Sequence, residues 1–410
     1  MNILFVHQNF PGQYLHLAPA LASYPENRVV AISARQGVKI PGVKILVYKI
    51  SKNPSPTIHP WIAEQEVKVI RGEAAASAAM RLRSQGFAPD VICAHPGWGE
   101  ALFLRDVWPD SKIVCFCEFY YQSSGSDVGF DPEFSRGRNQ DELCRLRMKN
   151  AHNLISLEAA DRGISPTIWQ RGQYPVEYQS RIEVIFDGIN TARVCPKDDA
   201  FIMLQRHQVK LTKSDEIITF VARNLEPYRG IHIFLRALPE ILKKRPQARA
   251  VILGGDEVSY GRKPPPGKTF RSMLLEEVSD DLDMDRVHFV GRVPYNIFMD
   301  VLRISSAHVY LTYPFVLSWS MLEAMSAGCI VIGSDTAPVR EVIEHQHNGL
   351  LVDFFDVKGL AGIVIDVLGN RKKYAHIKMA ARKTIVERYD LKNICLPAQL
   401  KMIESLTHKA

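Results

Sequence analysis

Tyr313-Pro314-Phe315-Val316-Leu317-Ser318-Trp319-Ser320-Met321-Leu322-Glu323-Ala324-Met325-Ser326-Ala327-Gly328 follows directly on an apolar stretch, His308–Thr312, that reads as a strand. A strand end passing into a helix start points unpaired backbone N–H groups and a positive dipole end at one spot. Such a spot holds phosphate. Glu323 stands inside the helical part among apolar neighbours. An acid buried there needs a partner, and ribose hydroxyls are suitable donors. The local chemistry therefore points to a nucleotide diphosphate.

Working outward, short Val/Ile-rich runs alternate with amphipathic stretches. The first half reads as strands at Asn2–His7, Arg28–Ser33, Val43–Lys49, Val91–Ala94, Lys112–Cys117, Asn153–Leu157 and Ile182–Phe186, with helices such as Tyr14–Leu21 and Ile62–Gln85 between them. The second half repeats the style at Ile217–Ala222, Ala250–Gly254, Val287–Val290, His308–Thr312, Ile330–Ser334 and Leu350–Val352. Continuous apolar strands alternating with helices indicate parallel sheets covered on both faces. At 410 residues the chain suits two domains. The boundary is expected at Asp187–Pro196, where the turn Asp187-Gly188-Ile189-Asn190 ends the first block. Open α/β sheets bind ligands at the carboxyl ends of their strands. Pro264-Pro265-Pro266-Gly267 is a local loop, and no internal repeat or low-complexity tract is present.

Apolar content of 46% and charged content of 23% describe a globular chain. No stretch of about eighteen residues is free of charges and breakers, so no transmembrane helix is expected. The start, Met1-Asn2-Ile3-Leu4-Phe5-Val6-His7, lacks a basic run and reads as a strand, so a signal peptide is not expected. Seven scattered cysteines, without zinc-type spacing, suit a reducing cytoplasm. The net charge is +7. Arg71, Arg81 and Arg83 fall in one helical stretch, and Arg136, Arg138, Arg145, Arg147 and Lys149 in another. These are solvated helix faces or, alternatively, contacts to anionic lipid at the inner face of a membrane or to an anionic acceptor. No aromatic-interleaved basic groove argues for nucleic acid.

The 313–328 stretch resembles the signature of family 4 retaining glycosyltransferases (group 1). The second acid of that signature is Glu323, and Phe315 stands where the first acid is expected. The resemblance continues through Asn153-Leu154-Ile155-Ser156, Ser165-Pro166-Thr167 and Ile185-Phe186-Asp187-Gly188-Ile189-Asn190. It extends to Val221-Ala222-Arg223-Asn224-Leu225-Glu226-Pro227-Tyr228-Arg229-Gly230, Val251-Ile252-Leu253-Gly254-Gly255 and Val287-His288-Phe289-Val290-Gly291-Arg292-Val293-Pro294. It implies the GT-B fold: two doubly wound Rossmann-like parallel-sheet domains facing across a cleft. Residues 1–188 would form an acceptor-side domain and 189–382 a nucleotide-sugar domain. Residues 383–410 would be a helix, Lys383–Leu406 at its core, crossing back to the first domain.

Arg223 and Arg229, at a strand end and the following helix start, can neutralise a diphosphate leaving group. The alternative is two surface arginines. The family usually has Lys at the position of Arg229. Donor contacts are further expected from Phe315, Leu317, Ser318, Trp319 and Ser320, chiefly through backbone N–H groups, and the resemblance assigns ribose to Glu323. Gly291, Arg292 and Val293 resemble the strip that reads the base. In the first domain, Gly12 and Gln13 form a glycine turn suited to the donor phosphate or the acceptor. His95 and Glu118 are the expected acceptor-side groups. Cys117 and Glu118 stand where the family commonly has His-Asp. Asp281-Leu282-Asp283-Met284-Asp285 imitates a metal motif. Its calcium pattern fails because Arg286 stands where Gly is needed. Arginines and a helix dipole can do a metal's charge neutralisation, so no cofactor or metal is expected.

With Phe315 unable to act as a nucleophile, the sequence favours front-face substitution with retention, the departing phosphate oxygen taking the acceptor's proton. The expected donor is a nucleotide sugar, most readily UDP-linked, and the acceptor a saccharide or lipid-linked hydroxyl in cell-surface polysaccharide or glycolipid assembly. Two other readings share the fold: a nucleotide-sugar 2-epimerase, and a non-catalytic nucleotide-sugar-binding protein.

Overall fold

The computed structural model describes residues 1–135, 139–204 and 209–407. Arg136 and Arg138 lie outside the described residues. The chain divides into two compact units. The first gathers 1–129, 139–188 and 391–407. The second gathers Phe130–Ser135 and Ile189–Asp390.

The first unit is built on seven parallel strands: β1 (Asn2–Val6), β2 (Arg28–Ser33), β3 (Val43–Val47), β4 (Val91–Ala94), β5 (Lys112–Phe116), β6 (Arg162–Ser165) and β7 (Ile182–Val184), in the order β3-β2-β1-β4-β5-β6-β7. Side chains alternate across the sheet, and both faces are covered. Leu4, Val6 and Ile92 pack towards Ala75, Ala78, Ala79 and Leu82 of helix Ala63–Ser84. Ile3 and Phe5 pack on the opposite face with Leu17, Leu21, Met402 and Ile403.

The second unit opens with an antiparallel pair, β8 (Phe201–Leu204) and β9 (Val209–Thr212), which the sequence reading did not anticipate. Its alternation is visible in hindsight: Ile202 and Leu204 are buried while Phe201 and Met203 are exposed. Six parallel strands follow: β10 (Ile217–Asn224), β11 (Arg249–Gly255), β12 (Val287–Gly291), β13 (Ala307–Tyr310), β14 (Val331–Ser334) and β15 (Leu350–Val352). Their order is β12-β11-β10-β13-β14-β15. Helix Ile231–Lys244 covers this sheet, with Phe234 stacked on Phe220 at 5.0 Å.

Two expectations are corrected. Asn153–Leu157 is not a strand but part of helix Ala151–Ala159, and β6 is the strand that follows it. His152, Asn153, Ser156 and Leu157 are buried while Ile155 is exposed, which is helical spacing. The single C-terminal helix is also not found. Helix Ala375–Arg388 belongs to the second unit, and a π-helical turn, Leu391–Cys395, and helix Leu396–Thr407 belong to the first. The break has two causes. Ile189 N–H donates to the Tyr389 carbonyl at 2.8 Å and the Thr191 hydroxyl bonds Asp390, fixing those residues in the second unit. Pro397 lacks the N–H that a continuing helix would need and suits a first turn.

Both sheets reverse strand order once. In the first the switch lies between β1 and β4, in the second between β10 and β13. Loops diverge at such a point and leave a crevice at the carboxyl ends of the strands.

Candidate functional site

In the second unit, the chain leaves β10 into a turn, Pro227–Arg229, and then Gly230 at φ +69°. A Cβ on Gly230 would lie 2.4 Å from the Leu311 side chain, so only glycine allows this approach. The turn sets Arg229 beneath the loop that follows β13. Arg229 is 7% exposed. Its Nη1 donates to Thr312 Oγ1 at 2.9 Å, to the Val316 carbonyl at 3.0 Å and to the Tyr310 hydroxyl at 3.3 Å. Arg223, by contrast, is exposed at the end of β10, with no hydrogen bond or ion pair among the described residues. The two arginines thus differ. One stitches the two loops of the switch point together, and the other is available to an incoming anion.

Between them lies Glu226, to which sequence reasoning gave no role. It is 1% exposed. Its Oε2 accepts the backbone N–H groups of Ser259 at 3.0 Å and Tyr260 at 2.9 Å, while Oε1 is buried without a partner. Burial pushes its carboxyl up to about 7, against the pull of those two N–H groups, Arg229 and Arg223. A lone acid between Leu225 and Pro227, flanked by the two arginines, was the available signal.

Phe315 is 4% exposed. It packs against Tyr260 (4.8 Å between ring centroids), Tyr228 (5.5 Å) and the Arg229 guanidinium (5.8 Å). Leu317 is buried as well. The Ser318 N–H, expected to meet phosphate, donates instead to the Tyr310 hydroxyl at 2.9 Å. Helix Trp319–Ser326 begins immediately afterwards, so Trp319 and Ser320 occupy its first turn. Glu323 Oε1 accepts the Tyr295 hydroxyl at 2.6 Å. Burial raises the Glu323 carboxyl, opposed by that bond and by Arg193. Tyr295 starts the helix that follows Gly291, Arg292 and Val293, so the expected base strip and the expected ribose acid are joined. Gly291 has φ +67°. Arg292 donates to Asn224 Oδ1 at 2.8 Å and pairs with Glu257. Val293 packs towards Ile202 and Val301.

The Phe130–Ser135 segment completes this unit. Tyr313 donates to Asp131 Oδ2 at 2.7 Å, and His232 Nε2 lies 3.1 Å from the same oxygen. Asp131, Glu133 and His232 bring potential ligand atoms within 4.8 Å of one another. Both Glu133 oxygens already accept from Arg236, each at 2.8 Å. The Asp281–Asp285 run spans the ends of two short 3-10 turns, with its aspartates exposed, Leu282 buried and Asp283 paired with Arg286.

In the first unit, the switch point carries His7, at the end of β1, and His95, at the end of β4. His7 Nδ1 accepts the Asn9 N–H at 2.9 Å, so its proton resides on Nε2, 2.8 Å from Gln13 Oε1. Gln13 Nε2 in turn donates to Glu118 Oε1 at 2.9 Å. His95 Nδ1 accepts from Gly97 at 3.1 Å, leaving Nε2 towards Glu118 Oε2 at 3.5 Å. The His95 ring is stacked between Trp98 (4.5 Å) and Phe116 (5.4 Å). Burial and then the neighbouring His95 lower His7 to about 3, so its imidazole stays neutral. Gly12, at φ +48°, is required because a Cβ would lie 2.4 Å from the His7 ring. Gln13, His95 and Glu118 thus meet as one cluster. His7 was missed, although it ends a strand at the switch. Cys117 points into the core, where its thiol faces the Cys115 carbonyl.

The basic clusters are dispersed. Arg71 donates to Gln8 and Arg83 to the Val107 carbonyl, while Arg145 and Lys149 pair with Glu64. Among the described residues no helix is long and apolar enough to cross a membrane.

Comparison with known proteins agrees with this layout. The family model "Glycosyl transferase family 4 group" matches residues 25–194, and "Glycosyl transferases group 1" matches residues 204–384. The chain belongs to the group 1 glycosyltransferases, with the two parallel-sheet α/β domains of the GT-B fold. It is 25% identical to a D-inositol 3-phosphate glycosyltransferase of Corynebacterium efficiens over 43% of this chain and 40% of that protein. It spans about half the length of the curated relatives it matches. Among solved structures, the sucrose-phosphate synthase of Thermosynechococcus elongatus superposes with a TM-score of 0.72 at 16% identity, covering 99% of both chains. HepE of Anabaena, in complex with UDP-glucose, gives 0.70 at 16% identity, covering 99% of this chain and all of HepE.

Proposed function

We propose that this protein is a retaining glycosyltransferase that moves a sugar from a nucleotide diphosphate sugar, a UDP-sugar first of all, to a hydroxyl acceptor. One observation carries the reading: Arg223 at the end of β10, Arg229 in the turn after it and the Glu323 helix after β13 flank the strand-order switch of the second sheet. Arg223 would meet the diphosphate, Arg229 would hold the loop that receives it, and Glu323 would accept a ribose hydroxyl through its second oxygen. The helix N-terminus and guanidinium charge would stabilise the leaving group in place of a metal. Reaction would occur on the front face, the departing phosphate oxygen accepting the acceptor's proton and the anomeric configuration being kept. The His7–Gln13–Glu118–His95 cluster of the first unit would orient the acceptor. A saccharide or lipid-linked acceptor fits a role in cell-surface polysaccharide or glycolipid assembly, with the protein cytoplasmic or at the inner face of the membrane. UDP-glucose is a ligand of the neighbour HepE and inositol phosphate belongs to the name of a relative, so both are first probes.

Phe315 favours a second reading, a nucleotide-sugar-binding protein without turnover. Thermal shift with UDP- and GDP-sugars, followed by assay of released nucleotide and sugar, separates the two. A raised melting temperature with slow donor hydrolysis supports the transferase. A raised melting temperature without turnover, with or without added acceptor, supports the second reading. No shift with any nucleotide sugar would remove the donor site itself.

A further inference from the structure

We propose that Glu226 is a proton-coupled part of the anion site: it takes a proton from solvent when a diphosphate settles on Arg223, and gives it back on release. This rests on the donor-site reading above. The geometry is specific. Oε2 is fixed by the Ser259 and Tyr260 amides, and Oε1 is buried with no partner. The amides of an adjoining loop therefore hold the carboxyl in place, yet one oxygen remains ready to carry a proton. Against burial, the ionised carboxyl is favoured first by those two N–H groups and then by the positive charge beside it, Arg229 on its own turn and Arg223 on β10.

An incoming diphosphate competes for that charge. Arg229 is already committed to Thr312 and Val316, so Arg223 is the cation most open to the ligand. Once two phosphate charges arrive, an ionised Glu226 becomes a buried like charge beside them. Protonation removes that repulsion at little structural cost. The protonated Oε1 can also donate a hydrogen bond, which the carboxylate cannot. The other groups around it are less able to answer. Tyr228 and Tyr260 are phenols. Asp256 pairs with Arg271 and Glu257 with Arg292. His232 and Asp131 form a pair beyond Tyr313. Burial already lifts the Glu226 carboxyl to about 7, so a modest further push moves it through the neutral range.

The test is calorimetric titration of the protein with UDP-glucose near pH 8, in two buffers of different ionisation enthalpy. Each phosphate of this probe is doubly esterified and lacks the second ionisation that a terminal phosphate has near pH 6. Protons taken up must then come to the protein. The expected result is uptake approaching one proton per UDP-glucose, with affinity falling towards tenfold per pH unit above about 7. In Glu226→Gln, whose amide carbonyl can still accept from Ser259 and Tyr260, the uptake should vanish and the affinity become flat with pH. Binding without uptake in the unaltered protein would overturn the proposal while leaving the donor site standing. Uptake that persists in Glu226→Gln would overturn it too and assign the proton elsewhere. The measurement on the unaltered protein stands alone if the variant does not fold. Failure of UDP-glucose and GDP-mannose alike to bind would instead reject the donor site, and this proposal with it.

Discussion

The two switch points share one topology and carry opposite chemistry. Between β1 and β4 sit two imidazoles and a carboxylate linked through the Gln13 amide, with His7 held neutral by burial. Between β10 and β13 sit two guanidiniums, a helix start and a buried acid. The fold supplies a crevice at each place, and the residues ending the strands decide its charge. A hydrogen-bonded relay suits orientation of hydroxyl groups. A cationic one suits a diphosphate.

The largest expected effect separates the arginines within the second crevice. Arg229→Ala would remove the donor to the Thr312 hydroxyl and the Val316 carbonyl and one of the two donors to the Tyr310 hydroxyl. It should cost about 2–4 kcal/mol of stability, read as a drop in Tm, together with most donor binding. Arg223→Ala should weaken UDP-glucose binding about 10–100-fold with Tm unchanged, since its side chain is exposed and unpaired. A Tm loss in Arg223→Ala, or none in Arg229→Ala, would break the distinction. Across the two crevices, Glu118→Gln should lower turnover about 100-fold while UDP-glucose affinity stays within twofold. An equal loss of donor binding would show that the chemistries are not divided as described.

The pH responses should run in opposite directions. His7 is depressed from 6.5 to about 3, so its contribution is complete above pH 6.5 and is lost as pH falls towards 3. Glu226 is raised from 4.5 to about 7, so its contribution is complete below pH 4.5 and is lost as pH rises through 7. Thermal melts of His7→Gln and Glu226→Gln against the unaltered protein should therefore diverge on the acid and the neutral-to-alkaline side respectively, by a few kcal/mol each. The smallest effect is Tyr295→Phe, which removes one hydrogen bond to Glu323. It should weaken UDP-glucose binding roughly fivefold, about 1 kcal/mol.

Much of the second crevice was legible in the chain. Arg223 and Arg229 stand close to a strand end that the apolar runs marked clearly, and Glu323 stands in the helical stretch that follows another. The same cues failed at Asn153–Leu157, where a short apolar run fits either period and the burial pattern decided for helix. The C-terminal helix was drawn as one because Asp390 pairs with Thr191, a partner almost two hundred residues away, and such a contact leaves no local mark.

By itself the sequence determined two blocks of buried parallel strands and the charged groups at their ends, because hydrophobic period and strand-end chemistry are local properties. Only the tertiary structure decided which of those groups meet. Strand order brings β1 beside β4 and β10 beside β13, seats Arg229 beneath a loop more than eighty residues on, and buries Glu226 against the Ser259 and Tyr260 amides. Burial and partnership are what make one arginine a brace and leave the other exposed at a strand end, and they arise from the packing of distant segments.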